Sequence, residues 1–386
     1  MSIYLDYAAT APIREDVLAS YLQSLRVVGN PSSIHGDGRG TRMLLEDARD
    51  SIASAVHCDR NEVIFTSGGT ESDNLAIKGL YWQRNQDARR PLVVSAYTEH
   101  HGVIDPIEWL EKNEAAEVIW LPVSESGVID LDALAEVLRA RGPEIALISL
   151  MWTNNETGVI TDINKVCELA AGFGVPVHSD AVAALGHVPV DFAGSGLTAM
   201  SITGHKVGSP IGSGALILSR SSKIESLIHG GGQERGLRSG TMNYAGATAF
   251  ARAAVQAVSE LEAFASHTSV LIAGLKAAVA EIEGSRFSVG SAHCMPQTAH
   301  FTFDGLRSDT LLYLLDEQGF AVSAGSACQA GVARPSHVLI AMGRSQAEAS
   351  ACLRVTIGLG TTAAEIDAFA RALGPAVERA RAASAV

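Results

Sequence analysis

Short apolar runs alternate with stretches of helical periodicity from about residue 62 to residue 218, and this alternation restricts the chain to few folds. Parallel strands need long crossover connections, which helices usually supply, so the pattern predicts an α/β fold with a mostly parallel sheet covered on both faces. The predicted strands are residues 62–66, 91–95, 118–121, 145–151, 175–178, 199–202 and 215–218. The predicted helices between them are residues 71–80, 104–110, 131–138 and 162–173.

Beyond about residue 245 the pattern changes, and it indicates a second, smaller α+β domain. Its predicted elements are an Ala-rich helix over 245–265, a helix over 270–282, strands near 299–303, 321–323 and 354–357, and a closing helix from residue 363. We expect the N-terminal segment to complete this domain. The predicted division is a large domain of residues 16–255 and a small domain of residues 1–15 plus 256–386.

Composition excludes several function classes. The 386 residues are 47% apolar, which supplies enough core for two domains. A net charge of −13 argues against a nucleic-acid or membrane surface and is typical of a soluble acidic enzyme, and the scattered cysteines favour the reducing cytoplasm. No opening stretch resembles a signal peptide, and no apolar run is expected to reach the roughly 20 residues of a membrane span. The five cysteines are scattered without a C-x-x-C pair, so neither a disulfide framework nor a metal site is expected.

Three chemically capable residues follow predicted strands or lie on a loop. Asp180 closely follows the end of the strand at 175–178 and Lys206 follows the strand at 199–202, whereas Cys328 stands among glycine, serine and alanine. A lysine can form a Schiff base with pyridoxal phosphate (PLP), and a carboxylate can keep its pyridine nitrogen protonated. A cysteine with small neighbours favours an accessible thiolate that could take a sulfur atom, although a packed thiol is the alternative.

Other polar clusters also follow strands. Ser67 to Ser72 joins a predicted strand to a predicted helix. In an open α/β sheet, phosphate binds the free N–H groups of a helix at such a junction. The alternative is an ordinary strand–helix turn with Thr70 as the N-cap. His100 or His101 could stack on a cofactor ring, and an amide in the Asn154-Asn155 pair could bond a phenolic oxygen. Each has a plain structural alternative, a buried histidine or a turn.

Two arginine-bearing segments complete the candidates. Arg354 is a charge inside an apolar strand, so it needs either an internal ion pair or a substrate carboxylate. The glycine-rich segment from Gly230 to Thr241 suggests a loop near anions, contributed across a dimer interface, or a flexible turn.

Taken in order along the chain, these segments resemble the cysteine desulfurases, which are PLP enzymes of the class-V aminotransferase-like group. The resemblance covers almost the whole chain, and the set of motifs in this order is highly specific. It is carried by Tyr4-Leu5-Asp6-Tyr7-Ala8-Ala9-Thr10, Gly29-Asn30-Pro31-Ser32-Ser33, Thr70-Glu71-Ser72-Asp73-Asn74, Thr98-Glu99-His100, Asn154-Asn155-Glu156, Ser179-Asp180-Ala181, Gly204-His205-Lys206, Arg238-Ser239-Gly240-Thr241 and Gly325-Ser326-Ala327-Cys328. The surroundings of Cys328 are similar to those of the long-loop, NifS/IscS-like group.

The resemblance implies a homodimer of fold type I that binds PLP and acts on L-cysteine. It implies that Lys206 binds the cofactor covalently, that Asp180 pairs with the pyridinium and that His100 stacks on the ring as an acid/base. Cys328 would carry a persulfide that a sulfur-acceptor protein receives. The remaining implied contacts are Gly69, Thr70, Thr203, His205 and the other subunit's Thr241 for phosphate, Asn155 for the phenolic oxygen, and Asn30 and Arg354 for the substrate carboxylate.

The chain departs from the family pattern at three places. Ala183 stands where the family usually has a glutamine that hydrogen-bonds the cofactor. Residues 207–212 differ from the usual tyrosine–glycine–proline run, and the chain stops soon after its last helix, so we expect no long tail for docking an iron–sulfur scaffold. The hydrogen bond that Ala183 cannot make to the cofactor is a neutral one, and losing it costs about 0.5–1.5 kcal/mol, so we expect cofactor binding to survive.

The sequence therefore predicts a cysteine desulfurase that converts L-cysteine to L-alanine and loads Cys328 with sulfur for iron–sulfur cluster, thio-cofactor or nucleic-acid thiolation pathways. A related class-V lyase, such as a selenocysteine lyase, is the alternative within the same chemistry. A non-catalytic partner of a sulfur-transfer complex is the alternative from a different class.

Overall fold

The structure of the protein is a computed structural model that describes residues 2–325 and 334–384. Its strands in chain order are β1 (Ile3–Tyr4), β2 (Val63–Thr66), β3 (Leu92–Ser95), β4 (Glu117–Trp120), β5 (Ile145–Ser149), β6 (Val177–Asp180), β7 (Ala199–Thr203), β8 (Gly214–Leu218), β9 (Ser285–Phe287), β10 (Thr298–Phe303), β11 (Phe320–Ala321) and β12 (Cys352–Thr356).

The helices include two long ones near the N-terminus that the sequence reasoning did not anticipate. In chain order they are α1 (Glu15–Leu25), α2 (Gly36–Ala55), α3 (Gly69–Arg84), α4 (His101–Glu114), α5 (Leu131–Arg141), α6 (Ile163–Ala171), α7 (Phe192–Ser195), α8 (Tyr244–Ser259), α9 (Leu261–Ala280), α10 (Ser308–Glu317), α11 (His337–Ala341), α12 (Gln346–Ala349) and α13 (Ala363–Ser384).

Within the described residues, seven strands form one large sheet in the order β2-β8-β7-β6-β5-β3-β4. The run from β7 to β4 pairs in parallel, and only β8 lies antiparallel to its neighbours β2 and β7. This confirms the predicted mostly parallel α/β sheet. Because β2, β3, β5, β6 and β7 run in the same direction, the segments that follow them meet at one edge of the sheet.

Helices cover both faces of the large sheet, as the continuous apolar strands require. Successive strand residues point to opposite faces, so Ile64 and Val93 belong to one core and Phe65 and Val94 to the other. Helices α3 and α4 contribute to the first core, and α2, α6 and α8 to the second.

A second, smaller region has its own core. β12, β10 and β9 form an antiparallel sheet, and β1 pairs in parallel with β11. Leu5 from the N-terminal segment packs there with Phe301, Leu353 and Phe369. The two ends of the chain thus share a core, which agrees with the predicted α+β composition of this region; the boundaries at residues 15 and 255 stay predictions.

One predicted helix boundary is wrong. The sequence predicts helices over 245–265 and 270–282, whereas α8 ends at Ser259 and α9 begins at Leu261. Neither glycine nor proline marks this break. A tertiary contact lies at the turn, where the Glu260 carboxylate pairs with Arg14 Nη1 at 2.7 Å, and such a contact leaves no local sequence signal.

Helix α9 is long and apolar enough to cross a membrane by length and composition alone, which differs from the expectation that no stretch would be. The same criterion is met by core helices of globular proteins. Ile272, Leu275 and Val279 lie on one side of α9 and are buried in the smaller core, so one side of this helix packs against that core.

Candidate active site

A cavity of about 320 Å³ lies where the parallel strands end. It is closed partly by the N-terminal segment and partly by the smaller region. Its lining consists of Ala8, Ala9, Gly69, Thr70, Asp73, His100, Met151, Thr153, Asn155, Asp180, Val182, Ala183, His205, Lys206 and Arg354. The motifs that follow β2, β3, β5, β6 and β7 are thereby brought to one place, as the parallel topology predicts.

Lys206 stands in a tight turn after β7. The turn is closed by the N–H of Val207, which donates to the carbonyl of Gly204 at 3.0 Å. Gly208 follows with a φ of +88°, and a Cβ there would lie 2.8 Å from the Arg14 side chain, so only glycine fits. Lys206 Nζ donates to the carbonyls of Ala8 and Ala9, and the amine is therefore held at the cavity by the N-terminal segment.

Asp180 is the last residue of β6 and is 6% exposed. Its Oδ1 accepts the N–H of Val182 at 2.8 Å. Burial raises the pKa of this carboxyl, and the charges of His100 and Lys206 act in the opposite direction. A buried carboxylate at a cavity wall is stabilised by a cation inside that cavity, and a pyridinium would supply one.

His100 caps helix α4, and its Nδ1 accepts the N–H of Gly102 at 2.9 Å. The neutral ring therefore carries its proton on Nε2. The neighbouring His101 does not line the cavity and instead pairs with Asp105 at 2.9 Å. Of the two histidines in the doublet, His100 is the one the fold places at the cavity.

The start of helix α3 forms one wall of the cavity. Gly68 is its cap and offers no side chain to the first N–H groups, which have no partners within a helix. Gly69 and Thr70 line the cavity there. A Cβ on Gly69 would lie 2.6 Å from Val182 Cγ2, so the helix approaches this closely only with glycine. An uncapped helix start of this kind is suited to a phosphate group.

Arg354 on β12 is 2% exposed and lines the same cavity. Its Nη2 lies 2.8 Å from Asp6 Oδ1, and its Nη1 donates to the carbonyl of Asn155 at 2.9 Å. Its Nε has no partner among the described residues. The internal ion pair that the sequence left open is thus present, and a donor remains for a ligand.

Comparison with known proteins agrees with this geometry. The family described as aminotransferase class-V matches residues 3–369. The chain belongs to the class-V aminotransferase family. It is 45% identical over 381 residues to the IscS-like cysteine desulfurase of Mycobacterium tuberculosis (strain ATCC 25618 / H37Rv), covering 98% of this chain and 97% of that protein.

Solved structures show the same likeness. A NifS-like protein superposes with a TM-score of 0.91 at 30% identity, covering 98% of this chain and all of that one. SspA, solved in complex with cysteine, superposes with a TM-score of 0.80 at 31% identity, covering 92% and 99% of the two chains. The predicted fold type I is confirmed.

Enzymes of the class-V aminotransferase family use PLP, and the cavity residues fit that cofactor. The amine of Lys206 suits its aldehyde, the buried Asp180 suits its ring nitrogen, and the start of α3 suits its phosphate. When bound, PLP supplies an electron sink for the carbon next to the substrate amine.

Several expected site residues lie elsewhere in this chain. Thr203 is buried, and its hydroxyl donates to the Ser213 carbonyl at 3.1 Å. Asn30 is exposed and accepts the N–H of Ser32 at 2.9 Å. Thr241 is exposed beside a second cavity of about 150 Å³, together with Arg238. None of Thr203, Asn30 and Thr241 lines the main cavity, and Cys328 lies outside the described residues. Their roles remain predictions.

His205 lines the cavity, as the family resemblance implies. Burial, followed by the Lys206 charge, lowers its pKa to about 4. The imidazole is therefore neutral near pH 7, so it would meet a phosphate as a hydrogen-bonding group rather than as a cation.

Sequence reasoning missed two polar residues of this site. Asp73 on α3 is 1% exposed, and burial followed by the charge of Asp180 raises its pKa well above the usual range. Its Oδ1 lies 3.7 Å from His178 Nε2. Thr153 is also 1% exposed, after β5. Asp73 belongs to the motif Thr70-Glu71-Ser72-Asp73-Asn74 that carries the family resemblance, and Thr153 directly precedes the Asn154-Asn155 pair, but the sequence predicted no role for either residue.

Proposed function

We propose that the protein is a PLP-dependent cysteine desulfurase that passes the sulfur of L-cysteine to Cys328 as a persulfide and releases L-alanine. The observation that carries the proposal is that Arg354 lines the same cavity as Lys206 and Asp180. A guanidinium for the substrate carboxylate, an amine base and a buried carboxylate are the groups an amino-acid substrate of a PLP enzyme needs. The cysteine desulfurase among its relatives supports this substrate.

Each residue at the cavity has a distinct part. Arg354 holds the substrate carboxylate with the N–H groups that Asp6 and the Asn155 carbonyl leave unused, and Asp6 keeps the guanidinium oriented. Lys206 Nζ accepts the α-proton of the substrate and returns a proton to carbon. His100 lines the cavity, and its Nδ1 accepts the N–H of Gly102, so the proton-bearing Nε2 is the ring nitrogen that would exchange a proton with the substrate.

The sulfur transfer balances without an external oxidant. The Cys328 thiolate attacks the substrate sulfur, so an S–S bond forms as the substrate C–S bond breaks. The electron pair of the broken bond stays on carbon, which takes up a proton and becomes the methyl group of alanine. A reductant is needed only afterwards, to release the persulfide sulfur as sulfide. The part given to Cys328 rests on its motif alone.

The test is to load the purified protein with PLP, add L-cysteine and a thiol reductant, and quantify alanine and sulfide. Equal amounts of both products are expected, and Cys328→Ser should abolish them while keeping the bound cofactor's absorbance. Cys58→Ser is the matched control, because burial raises the pKa of that thiol to about 12 and it should stay inert. Full sulfide production by Cys328→Ser would remove Cys328 from the reaction.

We also propose that the enzyme acts as a homodimer. Val28 and Ile34, at 82% and 87%, are the two most exposed large apolar side chains among the described residues, and their occurrence together on the one segment between α1 and α2 favours a covering partner. Light scattering should report two chains, and Val28→Asp with Ile34→Asp should give monomers with weakened cofactor binding. Val270→Asp on α9, at a residue that is 71% exposed, is the control and should stay dimeric. A monomeric wild-type protein would contradict the proposal.

The cellular setting, the sulfur acceptor and the domain boundaries are further proposals. We propose a cytoplasmic enzyme that hands its persulfide to an acceptor protein, for iron–sulfur cluster assembly or for thio-cofactor or nucleic-acid thiolation. The names of relatives and the negative charge of −13 support this setting. We retain the division into residues 16–255 and residues 1–15 plus 256–386.

A further inference from the structure

The Thr153 side chain has no assigned task, although it stands at the cavity. The residue is 1% exposed, and its Oγ1 has no hydrogen-bond partner among the described residues. Buried hydroxyl groups in folded proteins nearly always have a partner. A bound ligand is the natural candidate for that partner, because Thr153 lines the cavity.

The backbone directs Thr153 to the cavity by register. In the segment after β5, Met151, Thr153 and Asn155 all line the cavity. The intervening Trp152 packs in a core of the large domain, and Asn154 donates to the Thr98 carbonyl at 2.8 Å. Met151 and Thr153 therefore face the cavity, whereas the side chains of Trp152 and Asn154 are turned away from it.

This segment is held firmly on both sides of Thr153. The N–H of Trp152 donates to the carbonyl of Asp180 at 2.9 Å, and the N–H of Asn154 donates to the carbonyl of Val159 at 2.8 Å. Thr153 is thereby fixed next to the strand that ends in the pyridinium-binding carboxylate and two residues before Asn155. Asn155 is held in turn by Arg354, whose Nη1 donates to the Asn155 carbonyl.

At Ala183 the cavity lacks a hydrogen-bond donor that related enzymes have. Ala183 contributes only a methyl group where a glutamine amide is usual in this family. Thr153 and Ala183 follow the neighbouring strands β5 and β6 and both line the cavity, so the hydroxyl is available to the ligand that the missing amide would meet. Among the described residues that line the cavity, Thr153 is the one with a buried hydroxyl that has no hydrogen-bond partner.

We propose that Thr153 Oγ1 donates a hydrogen bond to the phenolic oxygen of bound PLP and so replaces the amide that Ala183 lacks. Thr153 is then a positioning residue that also sets the protonation of the cofactor. A donor to an anionic oxygen stabilises the deprotonated form of the bound cofactor. This inference rests on the proposed function, since it requires PLP in the cavity.

The test compares Thr153→Val, which keeps the shape but removes the hydroxyl, with Thr153→Ser, which keeps the hydroxyl. Thr298→Val is the matched control, because Thr298 is 1% exposed with an unpartnered hydroxyl and lies away from the cavity. Two readouts are independent of turnover: the pH midpoint of the bound cofactor's absorbance change, and the dissociation constant of PLP.

Thr153→Val should raise the midpoint by about 0.4–1 pH unit and weaken PLP binding about 2- to 10-fold, the effect of one lost hydrogen bond. Thr153→Ser and Thr298→Val should match the wild type. Thr153→Ala is the substitute should the valine variant not fold.

Two results would overturn the inference. A Thr153→Val protein with the wild-type midpoint and affinity would show that the hydroxyl does not contact the cofactor, and an equal shift in Thr298→Val would show a general packing effect. If the wild-type protein takes up no PLP at all, the proposed function fails, and the inference with it; the two failures are therefore told apart by the wild-type absorbance.

Discussion

Asp6 Oδ1 lies 2.8 Å from Arg354 Nη2, and this ion pair joins two residues that are 348 positions apart in the chain. The arginine is 2% exposed and the aspartate side chain 15% exposed. The pair therefore connects the N-terminal segment to β12 at the wall of the cavity, and it aims the guanidinium that the substrate carboxylate would meet.

Asp6→Asn should destabilise the protein and weaken substrate binding, because it leaves the buried guanidinium without its counter-charge. We expect the free energy of unfolding to fall by about 2–4 kcal/mol in urea titrations, and the KM for L-cysteine to rise more than kcat falls. Asp304→Asn is the control, because its pair with Arg286 is exposed and should contribute under about 1 kcal/mol. Equal losses in both variants would contradict a special role for Asp6.

Gly69→Ala should weaken PLP binding, because its Cβ would lie 2.6 Å from Val182 Cγ2 and push the start of α3 away. Overpacking of this kind costs about 1–3 kcal/mol, so we expect roughly tenfold or greater loss in a fluorescence titration with PLP. Adding Val182→Ala should recover most of the affinity. Gly40→Ala is the control, since a Cβ there meets nothing within 4 Å; without recovery in the double variant, the steric account fails.

Asp180→Asn should allow PLP uptake but slow desulfuration by about 10²-fold, the scale of removing one preorganised electrostatic group. The amide has the carboxylate's shape but cannot balance a ring cation. The bound cofactor's absorbance and the rate of alanine formation are the measurements. Asp105→Asn, at an exposed position beside His101, should leave both unchanged. A fully active Asp180→Asn enzyme would show that the carboxylate does not pair with the ring.

His300 should make the protein less stable as the pH falls. Burial lowers its pKa to about 4, whereas an unfolded histidine titrates near pH 6.5, so between these values the unfolded state binds the extra proton. The stabilisation is present above about pH 6.5 and is lost as the pH falls toward 4, by about 2 kcal/mol at pH 5.

Urea unfolding at pH 7 and pH 5 provides the measurement. His300→Gln should lose about 2 kcal/mol less than the wild type between the two pH values, because it no longer titrates. The buried Asp73 and Glu99, whose pKa values burial raises, act in the opposite direction but equally in both proteins. His229→Gln, at an exposed position, should follow the wild type. Parallel losses in all three proteins would exclude His300 as the cause.

The large sheet could be predicted because its signals are local. Most strands from β2 to β8 are short apolar runs, and the helices between them carry the 3.6-residue period, so neighbours along the chain are enough to specify them. The positions of Lys206, Asp180, His100 and Thr70 at one edge then follow from parallel topology alone.

The break between α8 and α9 could not be predicted in the same way. The sequence there is rich in alanine on both sides and contains no helix-breaking residue, so local propensity does not separate Ser259 from Leu261. The turn coincides with the contact of Glu260 with Arg14, a residue far away in the chain.

The sequence by itself determined the fold class, the motif order and the residue types that PLP chemistry requires, because these depend on local periodicity and on residue identity. Only the tertiary structure decided that Arg354 pairs with Asp6, that Asp73 is buried beside Asp180, and that the Thr153 hydroxyl has no partner among the described residues. A side chain's partner, burial and charge state depend on residues brought close by folding, and no local pattern in the chain records those distances.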